Sequence, residues 1–234
     1  MEDILTDQFN VKIVIFSFNR EEMLIEQLNH LSKFDCEILI VDDASDFDAM
    51  KYNQEAAIYI SKENKGKKKF YKQWQIALEY LKEDKKDQDM YIFMPDDFSS
   101  LELSRMIQAA YMMNNNEAWL INLINDGRTE CFAAGKPRET KIGNEDFLKI
   151  NWTDCGFFCN KKLLEELDYW IEDIDAERFW RNDSLSSGVG HQLTNRLKHV
   201  ARMYLPIKSF AQHGEHESKM HKEERKKNPL ISKH

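Results

Sequence analysis

The stretch Tyr91–Ser100 has the sequence YIFMPDDFSS, in which an apolar run and a proline precede two adjacent aspartates. Glu37–Asp43 has the same design, because the apolar run EILIV ends in an aspartate pair. Continuous apolar runs of this length are typical of strands that are buried on both faces of a parallel sheet. The two stretches therefore predict strands of one sheet whose acidic ends lie at the same edge.

Other predicted strands and helices alternate around these two stretches. Val11–Phe18 predicts a first strand, Asn19 and Glu22 predict the capped start of a helix, and Ala57–Ile60 predicts a weaker strand. Apolar residues at helical spacing predict three helices, with the faces Leu24, Leu28, Leu31, then Trp74, Ala77, Leu78, Leu81, then Leu103, Met106, Ile107, Ala110, Tyr111. This alternation predicts an α/β fold with a mainly parallel central sheet flanked by helices, in which ligands bind beyond the carboxyl ends of the strands.

The composition is that of a globular protein. The chain has 234 residues, of which 42% are hydrophobic and 32% charged, and this length predicts one domain, 1–234. The net charge of −8 argues against a protein that coats nucleic acid without selectivity. Because no signal-peptide pattern and no apolar run of membrane-spanning length occurs, we expect a cytoplasmic protein without a membrane partner.

The paired aspartates point to a cation. Asp42 with Asp43, and Asp96 with Asp97, bring like charges together, and such carboxylates repel unless a positive group lies among them. Mg²⁺ or Mn²⁺ with few protein ligands keeps positions free for phosphate oxygens, which suits a nucleoside diphosphate leaving group. The alternative for each pair is a helix cap or a solvated turn.

Four segments together resemble a known family. VKIVIFSFNREEML, EILIVDDASDFD, the later NKG and YIFMPDDF resemble, in order and approximate spacing, the nucleotide-binding half of GT-A glycosyltransferases, especially the family 2 type. The resemblance implies a Rossmann-like GT-A fold, a nucleotide-sugar donor, most readily a UDP-sugar, and Mn²⁺ or Mg²⁺. It also implies a donor-binding half at about 11–115, an acceptor-binding half at about 116–215 and a polar tail at 216–234.

The same resemblance implies roles for individual residues. Asp97 is the first choice for the metal and Asp96 the second, because Pro95 stands where many members carry the first acid. His213 follows an apolar segment and is implied as a late metal ligand, with a solvated histidine as the alternative. The residues that would contact the donor are Ser17, Asn19, Arg20, Asp42, Asp43, Asn64, Gly66 and Asp96.

The acceptor side is implied by the later part of the chain. Asp183 occupies the region where such enzymes keep the catalytic base, and Asp154 precedes a strand that often contacts the acceptor. We expect an inverting transfer, in which a carboxylate takes the proton of the acceptor hydroxyl, although Asp183 could instead cap a helix or a turn. Nearby aromatic residues could stack on a sugar or base, or pack in the core: Trp152, Phe157, Phe158 and Trp180.

The acceptor remains open at this stage. It is a glycan or small molecule or, as the alternative, hydroxymethylated pyrimidine in DNA, since the small chain resembles in general character phage-encoded transferases that modify DNA. The lysines of KENKGKKKFYK, residues 62–72, could meet phosphates of the donor or of DNA, or form a solvated loop. The rival from another class is a non-catalytic nucleotide-binding or interaction module.

Overall fold

The structure is a computed structural model and describes residues 9–125, 138–154, 156–175, 177 and 187–213. The strands are β1 (Val11–Ser17), β2 (Glu37–Asp42), β3 (Ala57–Ile60), β4 (Met90–Pro95), β5 (Phe98–Ser99), β6 (Trp119–Asn122), β7 (Arg138–Ile142), β8 (Glu145–Ile150), β9 (Phe157–Cys159), β10 (Arg202–Pro206) and β11 (Gln212–His213). The α-helices are α1 (Glu21–Leu31), α2 (Phe70–Glu83), α3 (Leu103–Tyr111), α4 (Lys161–Glu166) and α5 (Val189–Leu197), with short 3₁₀ turns at Ala49–Tyr52 and Lys67–Lys69. None of the described helices has the length and apolar character that a bilayer-spanning helix requires.

Within the described residues, nine strands form one sheet in the order β3-β2-β1-β4-β9-β6-β10-β8-β7. The first four are parallel, as predicted, and their register sets Phe16 beside Val41 and Pro95. The strand order reverses between β1 and β4, and in open α/β sheets ligands bind in the crevice at such a switch point. The acidic ends of β2 and β4 flank β1 at that edge.

The second half of the sheet is mixed. β9 lies between β4 and β6 and is antiparallel to both, whereas β10 is parallel to β6, and β8 and β7 continue as antiparallel strands. The predicted α/β fold class is confirmed, and its mainly parallel character holds for the first four strands of the sheet order, β3-β2-β1-β4. Because β9 runs against β4, the residues just before Phe157 lie at the same edge as Asp96 and Asp97.

Helices cover both faces of the sheet. α1 and α3 pack on one face through the predicted leucines and methionines, and α2, α4 and α5 pack on the other. Trp74 of α2 is fully buried and stacks on Phe93, with ring centroids 4.8 Å apart. Phe157 and Phe158 are also fully buried and Trp152 nearly so, which makes them core residues and excludes them as a stacking surface for a ligand. Trp180 lies outside the described residues.

The helix start predicted at Asn19 is wrong. α1 begins at Glu21, and Arg20 occupies the cap position without a side-chain cap hydrogen bond. Asn19 has a left-handed φ of 53°, and its side chain pairs with Asp46 across the loop that follows β2. A partner distant in sequence has therefore replaced the local capping interaction.

Candidate functional site

A pocket of about 190 Å³ opens at the carboxyl ends of the parallel strands, on the side of the switch point between β1 and β4. It lies where the fold places a ligand. Phe16 and Phe70 form its apolar wall, in edge-to-face contact at 5.3 Å. Six of the residues predicted to bind the donor line it: Ser17, Arg20, Asp43, Asn64, Gly66 and Asp96.

Asp43 fastens the Asn64–Gly66 loop to the end of β2. One carboxylate oxygen accepts the backbone N–H of Lys65 at 2.7 Å and the other accepts that of Gly66 at 2.8 Å. Gly66 has a φ of +58°, a conformation that L residues with side chains rarely adopt. Burial raises the pKa of Asp43, and the two N–H donors oppose that rise. The loop and the aspartate therefore form one wall of the pocket.

Asp42 and Asn19 are outside the pocket lining and connect two loops. Both oxygens of Asp42 accept hydrogen bonds from Ser45, from its backbone N–H at 2.8 Å and its hydroxyl at 2.6 Å. The Ser45 hydroxyl also accepts the backbone N–H of Asn19, while the Asn19 side chain and Asp46 exchange two hydrogen bonds. Burial raises the pKa of Asp42, against the Ser45 donors. These contacts hold the loops after β1 and β2 together behind the pocket.

Arg20 and Asp96, which also line the pocket, form a buried ion pair. Asp96 is 2% exposed and accepts hydrogen bonds from Arg20 Nη1 at 2.6 Å and from the backbone N–H of Phe18 at 2.9 Å. The same Nη1 lies 3.3 Å from an oxygen of Asp97. Burial raises the pKa of Asp96 to about 6, although Arg20 opposes that shift. Both carboxylate oxygens of Asp96 therefore accept hydrogen bonds from the loop that follows β1.

Asp97 keeps one oxygen for a ligand. Its Oδ1 is buried and has no hydrogen-bond partner among the described residues, while Oδ2 faces Arg20. Within the described part of the chain no group of three His, Cys, Asp or Glu side chains could hold a metal ion. Mg²⁺ is commonly held by only one or two carboxylates together with phosphate oxygens, so the buried Oδ1 fits such a cation when a diphosphate supplies further ligands.

His213 lies next to this aspartate. β11 pairs with β5 in a short antiparallel ladder that sets His213 opposite Phe98, the residue after Asp97. The imidazole and the Phe98 ring meet edge to face at 4.8 Å, and the histidine is exposed. The ladder therefore places His213 opposite the residue that follows Asp97, and the role of both residues at a metal stays a prediction.

The two candidate bases have different outcomes. Asp183 lies outside the described residues. Asp154 is exposed and lies at the same edge of the sheet as Asp96 and Asp97, in the segment that leads into β9. The amide side chain of Asn122 accepts the backbone N–H of Asp154 at 3.3 Å and the hydroxyl of Thr153 at 2.9 Å. A Cβ on Gly190 of α5 would lie 3.6 Å from the Asp154 carboxylate, so this helix approaches closely because the glycine lacks a side chain.

Sequence reasoning missed Gln73, a residue of α2. Gln73 is 1% exposed and lines the pocket, and its amide opposes the rise that burial causes in the pKa of Asp43. Ser17 Oγ and Arg20 Nε, on the same pocket, are buried without a hydrogen-bond partner among the described residues. The signal that could have found Gln73 is its place on the apolar face of the helix, between Phe70 and Trp74, where a polar side chain is unusual.

The predicted lysine cluster lies along the rim of the pocket. Lys67 contributes to the pocket lining, and Lys62, Lys68 and Lys69 are exposed. Lys65 pairs with Glu63 at 3.0 Å, and Lys72 lies over the ring of Tyr71 and 4.0 Å from Asp173. Lys67 is thus the member of the cluster that lies at the pocket, where it could face phosphates of a bound ligand.

Comparison with known proteins supports the fold. No protein-family model and no curated protein sequence matches the chain. Among solved structures, glucosyl-3-phosphoglycerate synthase from Mycobacterium tuberculosis, in complex with Mn²⁺, uridine diphosphate and glucosyl-3-phosphoglycerate, matches with a TM-score of 0.52 and 13% identity over 92% of this chain and 76% of that one. A second structure, of a mycobacterial protein, has a TM-score of 0.47 and 10% identity over 92% of this chain and 71% of that one. At this identity the likeness is one of fold, and the chain therefore has a GT-A-like fold.

Proposed function

We propose that the protein is a glycosyltransferase that moves a sugar from a nucleoside diphosphate donor to an acceptor hydroxyl, with inversion at the sugar carbon. The observation that carries the proposal is the pocket at the switch point, where six residues predicted to bind the donor meet. The GT-A-like fold supports it, because the matching synthase was crystallised with uridine diphosphate and Mn²⁺.

The donor would bind with its base and its diphosphate at different ends of the pocket. The base end has Asp43 and the Asn64–Gly66 loop, with Phe16 and Phe70 as apolar wall. The diphosphate end has the positive charges of Arg20 and Lys67, which favour phosphate oxygens. Asp97 and His213 would hold the divalent cation, which when bound would neutralise the charge that develops on the leaving diphosphate.

Among the described residues, Asp154 is the candidate for the catalytic base. Its carboxylate would accept the proton of the acceptor hydroxyl as that oxygen attacks the sugar carbon and the bond to the diphosphate breaks. Its exposure and its place at the edge of Asp96 and Asp97 leave it open to an acceptor. Asp183 remains the other candidate for this role.

Release of nucleoside diphosphate from a panel of nucleotide sugars, with Mn²⁺ and with a chelator, tests the proposal. We expect slow, Mn²⁺-dependent donor hydrolysis that Asp97→Asn abolishes, because the loss is of charge stabilisation in the transition state. Asp154→Asn should bind donor normally and lose about 10²–10⁴-fold in transfer once an acceptor is supplied.

Asp146→Asn is the matched control, since Asp146 is an exposed aspartate on β8 whose side chain pairs with Lys141 outside the site. It should behave as the wild type in both assays. Donor turnover that is insensitive to Asp97→Asn would contradict the metal role, and absence of turnover with every donor would contradict the enzyme.

A DNA acceptor is the alternative that the lysine-rich rim favours. Exposed Lys68 and Lys69 next to Lys67 could meet DNA phosphates, and a base would then have to leave the helix stack to reach the site. This alternative predicts duplex binding that weakens steeply with salt, and a smaller salt slope when the three lysines become alanine. A glycan or small acceptor predicts that the same triple variant transfers normally and that no duplex is retained at low salt.

The rival from another class is a nucleotide-binding module without catalysis. It predicts that uridine diphosphate raises the melting temperature by mass action while no donor is consumed. Measuring donor binding and donor turnover on one preparation separates the two functions.

A further inference from the structure

We propose that a second cavity, between α1 and segment 98–102, is a binding site for a small aromatic molecule that carries an N–H or O–H group. The cavity has a volume of about 590 Å³, within the roughly 300–1,000 Å³ of small-molecule sites. Among the described residues, its lining and that of the pocket at the switch point have no member in common. Binding in the cavity is therefore independent of the proposed function.

The cavity and the pocket at the switch point lie on opposite faces of the sheet. Met94, Phe98 and Leu101, which line the cavity, belong to the core that α1 and α3 cover. Phe16 and Phe70, which line the pocket, belong to the core on the α2 side. A ligand in the cavity therefore does not take the place of a nucleotide.

The apolar wall of the cavity suits an aromatic ring. Met23 and Met94 supply two thioethers to it, and Phe98 supplies a ring. Met94 is 1% exposed and Phe98 is 6% exposed, so packing holds both side chains in place. Thioethers and aromatic rings both make favourable contacts with a further ring. We therefore expect the body of the ligand to be flat and aromatic.

Gln27 of α1 is the buried polar residue among the described residues that line the cavity, and it is 6% exposed. Its amide nitrogen donates to the carbonyl oxygens of Asp96 at 2.9 Å and of Phe98 at 2.6 Å. Turning the amide over would set its oxygen against these two oxygens, so the two hydrogen bonds fix its orientation. The amide oxygen is buried, and no described residue donates to it. Because an unmet buried acceptor costs free energy, a ligand that donates to this oxygen gains affinity.

The neighbouring polar groups also favour a ligand that donates. His30 lines the cavity, and its Nε2 lies 2.8 Å from the carbonyl oxygen of Leu101, which can only accept. Nε2 therefore carries the proton, and the neutral ring keeps Nδ1 as a second acceptor. The charged residues of the lining are Glu26, Lys33 and Glu102. The first two are exposed and opposite in sign, and Glu102 is paired with a neighbouring arginine, so the lining does not require an ionic ligand.

NMR titration of the ¹⁵N-labelled full chain with indole and with benzofuran tests the site. The two probes have nearly the same shape, but benzofuran has an oxygen in place of the N–H group of indole and cannot donate. We expect indole to shift the side-chain amide signals of Gln27 and the backbone amide signals of 98–102. The signals of Lys65 and Gly66, at the other pocket, should stay unchanged. Benzofuran should bind at least about threefold more weakly, although it is the more apolar probe, because it leaves the Gln27 oxygen unmet.

Two variants assign this preference to one side chain. Gln27→Met removes the amide and keeps an unbranched side chain of similar length, so the preference for indole over benzofuran should disappear. Gln75→Met is the matched control, because the Gln75 amide donates to Ile171 O at 2.7 Å and to Asp173 at 2.9 Å, outside the cavity. Gln75→Met should keep the wild-type preference.

Tighter binding of indole, with shifts at 98–102, supports the assignment. Absence of these shifts up to the solubility limit of indole, or shifts at Lys65 and Gly66 in their place, would overturn it. Equal affinity of the wild type for the two probes, or an unchanged preference in folded Gln27→Met, would overturn it as well. If Gln27→Met does not fold, the comparison of the two probes on the wild type decides. None of these titrations contains a nucleotide, so their outcome leaves the proposed function to its own assay.

Discussion

Gly156→Ala tests whether the packing behind Asp97 sets the geometry of the site. A Cβ at Gly156 would lie 2.5 Å and 2.8 Å from two ring carbons of Phe98, distances that real Cβ atoms essentially never show. The ring has little freedom to move, because Phe98 is 6% exposed, contacts His213 at 4.8 Å and holds Gln27 through its carbonyl oxygen at 2.6 Å. The added methyl group must therefore displace the segment that carries Asp97.

The expected cost follows from the overlap. Overpacking a close-packed site costs about 1–3 kcal/mol. In a protein of this size each kcal/mol lowers the melting temperature by about 2–4 °C, so Gly156→Ala should melt roughly 2–12 °C below the wild type. Mn²⁺-dependent binding of UDP should weaken as well, since the displaced ring belongs to the residue that follows Asp97 and contacts the His213 imidazole.

Thermal melting followed by circular dichroism and calorimetric titration with UDP measure the two effects. Phe98→Leu in the Gly156→Ala background removes the clashing ring atoms, so the double variant should lose less stability than the sum of the single variants. Gly143→Ala is the stability control, because Gly143 has a φ of +60° and its Cβ would meet only the flexible Met112 side chain at 3.2 Å. Gly143→Ala should lower the melting temperature and leave UDP binding unchanged. A Gly156→Ala protein with wild-type melting and wild-type UDP binding would refute the reasoning.

Three further changes test other parts of the fold and site. Gly66→Ala forces a residue with a side chain to a φ of +58°, so it should weaken UDP binding by about 1–2 kcal/mol in the same titration. His213→Ala should weaken UDP binding only when Mn²⁺ is present, and equal weakening in chelator would remove the histidine from the metal. Lys12→Met should cost about 1–3 kcal/mol at neutral pH in chemical denaturation, because Lys12 is 4% exposed and pairs with Asp84 and Glu37. Burial opposes these charges, but the ion pairs lower the pKa values of Glu37 and Asp84 and raise the pKa of Lys12. The stability difference between the wild type and Lys12→Met should therefore vanish as pH falls through the lowered carboxyl pKa values. It should also vanish in alkali, as pH rises through the raised pKa of Lys12.

The parallel strands β1, β2 and β4 were predictable because their signals are local and repeated. Apolar runs such as EILIV specify buried parallel strands, and aspartates directly behind them must lie at one edge. The antiparallel β9 was not predictable in orientation, since Phe157–Cys159 is a run of three buried residues that carries no sign of its direction. Asn19 was misjudged because its partner, Asp46, lies 27 residues away in the chain.

The positions of candidate-site residues at strand ends were predictable, because the strand register sets them. The position of a residue on a helix was not, because it depends on how the helix is rotated against the sheet. Asp43 and Asp96 follow strands of known register, so their approach to β1 follows from the sheet. Gln73 reaches the pocket because α2 packs with Trp74 against Phe93, which turns the preceding helical position toward Asp43. The spacing of residues in the sequence does not specify the rotation of α2. From the sequence alone, Gln73 could equally be a buried polar residue with a partner inside the core.

Three buried aspartates at the acidic edge of the sheet are less stable in their ionised form than they would be in water. Burial raises the pKa of Asp42, Asp43 and Asp96, so ionising them at neutral pH lowers the stability of the free protein. Their present partners are backbone N–H groups, a hydroxyl and Arg20, which order the loops around the pocket. A ligand that brings an N–H group to Asp43 and a cation to Asp97 would offset part of this cost in the bound state only. Under the proposed function, the same buried carboxylates would lower the stability of the free protein and contribute to its affinity for a metal-bound nucleotide.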